Sequence, residues 1–275
     1  MEFIHLSEPV KIKKISEKDN IGVFEIEALY AGYGLTIGNT LRRVLLSSLP
    51  GAVITQVKIK GIKHEFSTIR GVLEDVIELS LNLKKIRFKI FTNEPQILTL
   101  KAKGETKVKA SDIKLNANVE IVTPDVHIAT LTDKKAELEM ELMVEKGLGY
   151  LPAESRKKEK LAIGTISLEA YFSPIRNVSY SIENMRLGER TDYNRLRITI
   201  QTDGSITPSA ALRKASRILI DHFEKISQIA PPDEPLKEER KIAKREKVKS
   251  RRKVGTPTEA SEKTEKKKKV SKKAK

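Results

Sequence analysis

The sequence contains no cysteine and no tryptophan, and only 5% of its residues are aromatic. Without cysteine there is no disulfide framework, no thiolate nucleophile and no Cys-ligated zinc or iron–sulfur cluster. An apolar run of about 18 residues, which a membrane-spanning helix requires, is also missing. The first eight residues carry neither the basic start nor the apolar stretch of a signal peptide. We therefore expect a cytoplasmic protein in a reducing setting.

Candidate catalytic and metal-binding residues are equally sparse. The four histidines, at positions 5, 64, 127 and 222, include no pair at the i, i+4 spacing of a helical metal site. Residues 64–68 (HEFST) combine a base, an acid and hydroxyls, but no Gly-x-Ser-x-Gly elbow or second histidine completes a relay. We interpret this segment as a polar loop that caps the following helix. The sequence predicts no metal, no cofactor and no catalytic group.

Positive charge is concentrated near the end of the sequence. The net charge is +16, and residues 231–275 hold 18 basic and 8 acidic residues, a net +10. Residues 233–275 have no aromatic and few aliphatic side chains, so they cannot bury enough apolar surface to offset the entropy of ordering. We expect a disordered Lys-rich tail. It is either simply solvated or attracts DNA without sequence preference through counterion release.

A glycine-rich loop follows the first predicted strand. Residues 22–28 alternate apolar and polar side chains, and Gly32, Gly34 and Gly38 come next. A dinucleotide fingerprint needs a small residue where Ile37 stands, and a phosphate-binding loop needs Gly-Lys-Ser/Thr where the sequence has Gly38-Asn-Thr. The loop therefore indicates a tight strand-to-helix turn with close backbone packing.

Two amphipathic helices are predicted, over residues 35–49 and 208–227, the second with Thr207 as N-cap and Pro208 at its first position. Their apolar stripes either pack on the sheet alone or also form an oligomer interface. Arg42 and Arg43 are consecutive, so their side chains leave the first helix about 100° apart. Either both are solvated, or one lies by the apolar stripe while the other serves a second partner.

Residues 51–164 are rich in two-residue alternation, typical of strands, with one helical stretch from Val72 to Leu83. Residues 165–230 return to strands and then the second helix. The fold class is α+β: a two-part domain of residues 1–50 and 165–230, strands plus two amphipathic helices, is interrupted by a β-rich insert of residues 51–164 and followed by the tail of residues 231–275.

Several long motifs resemble those of the bacterial RNA polymerase alpha subunit family, in order over about residues 1–230. They are residues 32–51 (GYGLTIGNTLRRVLLSSLPG), 62–75 (IKHEFSTIRGVLED), 81–84 (LNLK), 147–153 (GLGYLPA), 171–174 (YFSP), 190–192 (RTD) and 202–204 (TDG). The resemblance implies a homodimeric, non-catalytic scaffold of DNA-directed RNA polymerase, on which the beta and beta-prime subunits assemble for transcription. The compact carboxy-terminal DNA-binding domain usual in that family has no counterpart in the tail pattern.

The resemblance also assigns residues to surfaces. The dimer interface is expected at Leu35, Ile37, Gly38, Leu41, Arg42, Leu45, Leu49, Leu212, Ala215, Ile218, Leu219, His222 and Phe223. The beta contact is expected at Arg43, Leu46, Ser47, His64, Glu65, Phe66, Ser67 and Thr68, and the beta-prime contact at Lys84, Leu168 and Ser173. In this scheme Leu41 and Leu45 pack on the other protomer while Arg43 faces outward. The alternative is a free dimer that associates with DNA through its tail.

Overall fold

The backbone belongs to the α+β class that the sequence predicts. The computed structural model describes residues 10–156 and 164–229. Within them lie three α-helices, α1 (Tyr33–Ser47), α2 (Val76–Leu83) and α3 (Pro208–Ile229). The strands in chain order are β1 Lys11–Lys18, β2 Ile21–Leu29, β3 Pro50–Ile59, β4 Phe88–Ile90, β5 Gln96–Lys103, β6 Thr106–Lys109, β7 Ile113–Lys114, β8 Val119–Ile121, β9 His127–Leu131, β10 Glu137–Leu148, β11 Tyr150–Leu151, β12 Thr165–Ser167, β13 Ala170–Tyr171, β14 Ile175–Leu187 and β15 Arg190–Thr202.

A four-stranded antiparallel sheet, in the order β1-β2-β15-β14, carries α1 and α3. The predicted alternation of β2 and β15 places the pairs Phe24↔Ile198 and Ile26↔Leu196 on the face that packs against the helices. All four side chains are buried, as is Leu45 of α1. The apolar faces of these strands thus pack against the apolar stripes of the helices.

The insert is built on a seven-stranded antiparallel sheet. Its order is β7-β5-β10-β3-β4-β8, and β12 pairs with β3 outside that path. Strand β10 contributes Leu138, Met140 and Leu142 to the core, and α2 contributes Leu79 and Leu83. Two-stranded pairs, β6 with β9 and β11 with β13, complete the β-structure of the described residues.

Buried side chains form two large clusters. One draws on residues between Ala52 and Leu168, and the other on residues 24–49 and 175–215. The described residues as far as Ile220 belong to one compact unit. The end of α3, from Asp221 onward, belongs to a second unit. The domain boundaries expected after residues 50 and 164 stay a prediction.

The start of α2 differs from the sequence prediction. Val72 pairs with Leu131 in an isolated β-bridge, and the helix begins only at Val76. Its N-cap is Asp75, whose Oδ1 accepts a hydrogen bond from Glu78 N at 2.7 Å. The predicted cap from residues 64–68 is made by backbone, since Ser67 O accepts a hydrogen bond from Val76 N at 3.3 Å. The helical spacing of apolar residues includes Val72 because this residue packs on the same core as α2, although its backbone is extended.

The start of α3 is confirmed. The helix begins at Pro208, and Thr207 Oγ1 accepts a hydrogen bond from Ala210 N at 3.3 Å. Strand β1, which the sequence analysis missed, sends Glu17 to the same helix end. The tail of residues 231–275, with its predicted disorder and DNA contact, lies outside the described residues.

Candidate protein-binding surfaces

Helix α1 is fixed closely on the sheet by its glycines. Asn194 Oδ1 accepts hydrogen bonds from Gly32 N at 2.9 Å and from Gly34 N at 3.4 Å, which satisfies free amides at the start of the helix. A Cβ atom at Gly38 would lie 2.9 Å from Leu196 Cδ1 and 3.1 Å from Tyr180 Cδ2. The interpretation of the loop as a tight turn with close packing is therefore confirmed.

The two consecutive arginines of α1 have different environments. Arg42 Nε donates a hydrogen bond to Val178 O in β14 at 3.1 Å, so this side chain lies along the subunit's own sheet. Arg43 is exposed, and its guanidinium contacts no other described residue by hydrogen bond or ion pair. Beside it, Leu46 is half-buried and Ser47 is exposed. Arg43 therefore presents its donors to solvent on the outer side of α1.

The residues expected at a dimer interface fall into two groups. Leu41, Leu45 and Leu49 are buried in the subunit's own core, together with Gly38 and Ala215. The sheet of the same chain covers Leu41 and Leu45, so little of either side chain is left for a second chain, and their predicted contact with one stays a prediction.

The exposed members are the ones available to another protein. Leu35 is 60% exposed, while Ile37, Leu212, Ile218 and Leu219 are half-buried. In the last turns of α3, described separately, His222 and Phe223 are exposed. Three further apolar side chains that the sequence analysis did not assign are also exposed, at Tyr33, at Ile220 and, in the last turns of α3, at Ile226.

Two adjoining grooves share Glu65 and Phe66, and the smaller of them runs along α2. The larger, of about 640 Å³, includes His64, Glu65, Phe66 and Tyr150, and the smaller, of about 270 Å³, includes Glu65, Phe66 and Lys84. Phe66 is 76% exposed, an unusual state for a phenylalanine ring. The structure thus brings the 64–68 loop and Lys84 together, although they were expected at contacts with different partners.

Of the three residues predicted to contact the beta-prime subunit, only one is clearly accessible to solvent. Lys84 Nζ lies 3.1 Å from Glu169 Oε2 and remains partly exposed. Leu168 is buried in the insert core, though it lines the smaller groove. Ser173 is also buried, and its hydroxyl accepts a hydrogen bond from Ile175 N at 3.4 Å. The side chain of Ser173 stabilises the turn into β14, and its predicted contact with a partner stays a prediction.

Among the described residues, the grooves include a polar atom without a hydrogen-bond partner and no cluster of metal-binding side chains. Ser167 Oγ lines both grooves and has no hydrogen-bond partner among the described residues, so a buried polar atom is left to be satisfied. His64 Nδ1 lies 3.0 Å from Ser67 Oγ, both at the exposed surface. Residues 10–156 and 164–229 contain no group of three or more His, Asp or Glu side chains that could hold a metal ion. None of the helices described has the length and apolarity to cross a bilayer.

Comparison with known proteins shows that the chain is similar to subunits of RNA polymerase. Residues 57–173 match the model of the RNA polymerase Rpb3/RpoA insert domain. The chain is 48% identical over 221 residues to the DNA-directed RNA polymerase subunit alpha of Alkaliphilus oremlandii, covering 80% of the chain and 69% of the relative. It is 49% identical over 210 residues to that of Symbiobacterium thermophilum, covering 76% and 66%, and 45% identical over 237 residues to that of Chloroherpeton thalassium, covering 86% and 72%. The chain thus spans about two thirds of the length of these relatives.

Proposed function

Because this chain belongs to the bacterial RNA polymerase alpha subunit family, we propose that it homodimerises and forms the scaffold on which the beta and beta-prime subunits assemble. The observation that carries the proposal is the 48% identity over 221 residues to a subunit of that name. The chain would act in the bacterial cytosol as a non-catalytic component of a nucleotidyltransferase complex.

Dimerisation is supported by apolar side chains that the subunit itself leaves uncovered. Tyr33 and Leu35 on α1, and Ile220 on α3, are exposed although each lies on a helix that also contributes to the core. In the final turns of α3, Phe223 and Ile226 are also exposed. A second copy would remove this surface from water, at about 25 cal/mol for each Å² buried. The domain of residues 1–50 and 165–230 would hold this interface.

A contact with the beta subunit is supported by Arg43. Its guanidinium is a rigid planar donor suited to two parallel hydrogen bonds with one carboxylate. It is exposed and uses none of its donors on another described side chain or carbonyl. Ser47 Oγ donates to Arg43 O at 2.8 Å, so the two residues share one side of α1. The 64–68 loop, with exposed Phe66, would extend this contact onto the insert of residues 51–164.

A contact with the beta-prime subunit is supported by Lys84 at the end of α2. Next to it, Ile77 and Leu81 expose apolar surface along the smaller groove. A partner that inserts an apolar side chain there would bring its neighbouring polar groups close to Lys84 and Ser167. Arg43, which is exposed on α1, and Lys84, which lies beside an apolar groove that Phe66 also lines, would serve the two different large partners.

Co-expression with the two large subunits tests the proposal. Tagged Arg43→Ala is compared with Arg213→Ala, which removes an arginine that is equally exposed but lies on α3 outside the predicted beta contact. We expect Arg43→Ala to remain a folded dimer by sedimentation and to recover at most about a tenth of the beta subunit, since a charge-assisted pair contributes about 1.5–3 kcal/mol. Arg213→Ala should recover beta at the wild-type level.

Three outcomes would contradict the proposal. A wild-type chain that sediments only as a monomer at micromolar concentration removes the dimer. Equal recovery of beta by both variants removes the role of Arg43. A dimer that binds DNA but retains neither large subunit favours the alternative of a free DNA-associating protein.

A further inference from the structure

A small pocket lined by lysines lies away from the surfaces described above. It has a volume of about 180 Å³ and opens between the insert strands β3, β4 and β10 and the segment that enters α3. Three cations line it, Lys89 of β4, Lys146 of β10 and Lys214 of α3. No carboxylate is among the described residues that form its wall. Three like charges around one concavity repel one another unless an anion lies between them.

The lysines have few partners of their own. Lys214 forms no ion pair or hydrogen bond through its side chain with another described residue. Lys146 Nζ donates to Asn93 Oδ1 at 3.0 Å, which is a neutral acceptor. Lys89 Nζ lies 3.8 Å from Glu120 Oε1, a long contact between exposed groups that contributes little. Most of the positive charge at the pocket is therefore uncompensated.

The buried carboxylate of Asp203, which is hydrogen-bonded to the pocket residue Ser205, already has a cationic partner. Asp203 Oδ1 accepts hydrogen bonds from the Ser205 backbone and hydroxyl at 2.9 and 2.6 Å, and Ser205 lines the pocket. Asp203 Oδ2 lies 3.6 Å from Arg87 Nε, inside the structure. Arg176 adds a further positive charge near Arg87. The charged residues that line the pocket itself are the three lysines.

The volume of the pocket and the residues in its wall limit the kind of ligand that it can bind. The volume lies below the roughly 300–1,000 Å³ of sites for drug-sized molecules, so a nucleoside does not fit inside. Ile90 and Ile206 contribute apolar wall, which strengthens electrostatic attraction by excluding water. A phosphate group carries up to two negative charges and three acceptor oxygens, which suit a wall with three lysines and no carboxylate better than a singly charged carboxylate ligand does.

We propose that this pocket binds a phosphate group, either as free inorganic phosphate or as a phosphate of a nucleic-acid backbone. The bound group would join lysines of the insert to α3, next to the Arg87–Asp203 ion pair. This inference does not depend on the proposed scaffold function, because it uses only residues outside the predicted dimer, beta and beta-prime contacts.

Methyl NMR on the full-length chain tests it. Phosphate is titrated at constant ionic strength against chloride, and the Ile90 and Ile206 methyl signals are followed, with Ile128 in the insert core as an internal control. This local readout separates the pocket from the basic residues of 231–275. We expect saturable shifts at Ile90 and Ile206 only, and an affinity about tenfold weaker in Lys146→Gln and in Lys214→Gln. Exposed Lys134 does not line the pocket, so Lys134→Gln should bind as wild type.

The source of the phosphate follows from a second titration with a short DNA duplex. Lysine-dependent shifts with inorganic phosphate assign the site to the free anion, and such shifts with the duplex alone assign it to a nucleic-acid backbone. Shifts that depend only on ionic strength, or that survive both pocket variants, overturn the proposal. Unchanged Ile128 signals in each variant show that a loss of binding does not come from unfolding.

Discussion

Glu17 of β1 caps α3, although the two elements are far apart in the sequence. Its Oε1 accepts a hydrogen bond from Ser209 N at 2.9 Å, and its Oε2 accepts one from Ser209 Oγ at 2.7 Å. These two hydrogen bonds, aided by Lys14, lower the pKa of the Glu17 carboxyl to about 2. The carboxylate also lies at the positive end of the helix dipole. An edge strand of the sheet thus helps to determine where the long helix begins.

We expect Glu17→Gln to lower the free energy of unfolding by about 1 kcal/mol at pH 7, as loss of a helix cap does. The pKa is lowered in the folded state, so the contribution is fully present above the unfolded value of 4.5 and is lost as the pH falls toward 2. Urea unfolding at pH 7 and pH 3 measures this. Glu105→Gln, at an exposed glutamate outside the cap, should change neither value. An equal loss of stability in Glu17→Gln at both pH values would argue against the carboxylate as the cap.

Gly51 is predicted to tolerate no side chain. A Cβ atom there would lie 1.8 Å from the carbonyl oxygen of Phe172, which is backbone and cannot move aside. Because such a clash must displace β3 or the backbone that follows β13, Gly51→Ala should lower the unfolding free energy by about 3 kcal/mol or more. Gly61→Ala is the control, since Gly61 has open space but a φ of +83°, and should cost only about 1 kcal/mol. Thermal melts that show equal losses for both variants would contradict the close approach.

Asn194 is predicted to couple β15 to the start of α1. Asn194→Ala removes the acceptor for Gly32 N and Gly34 N and should cost about 1 kcal/mol. Asn194→Asp keeps that acceptor but loses the donor that bonds Asn184 Oδ1 at 3.2 Å, so it should restore only part of the stability. Hydrogen exchange of the first amides of α1 checks the assignment. Protection that is unchanged in Asn194→Ala would exclude this cap.

Local patterns predicted the helices and the paired strands of the core, because their apolar side chains recur with the period of the element. Strand β1 was missed for a physical reason: nearly all of its side chains are exposed, and a shift of register between Lys14 and Ser16 breaks its alternation. Strand β1 is formed by backbone hydrogen bonds to β2, and such bonds do not require a particular pattern of side chains in the sequence. The assignment of α2 began too early because Val72 enters the same core from a β-bridge.

Long-range contacts limited the prediction of the surfaces. The apolar stripe of α1 indicated that Leu41 would be covered, but not whether its own sheet or a second chain would cover it. Its own sheet covers Leu41, and a contact with a second chain stays a prediction. Ser173 looked available in a short motif, yet the turn into β14 buries it. The proximity of the 64–68 loop to Lys84 depends on how α2 and β12 pack, which no spacing in the sequence expresses.

Burial separates the side chains of α1 that hold the subunit together from those predicted to hold two subunits together. Leu35→Glu places a charge on a side chain that is 60% exposed, so the subunit itself should lose little stability. In a dimer interface the same charge would be buried without a partner, and sedimentation should show monomers at micromolar concentration. Leu41→Ala instead removes a core side chain and should cost about 2–5 kcal/mol in unfolding free energy while the remaining folded protein stays dimeric. A Leu35→Glu protein that sediments as a stable dimer would place the interface elsewhere on the chain.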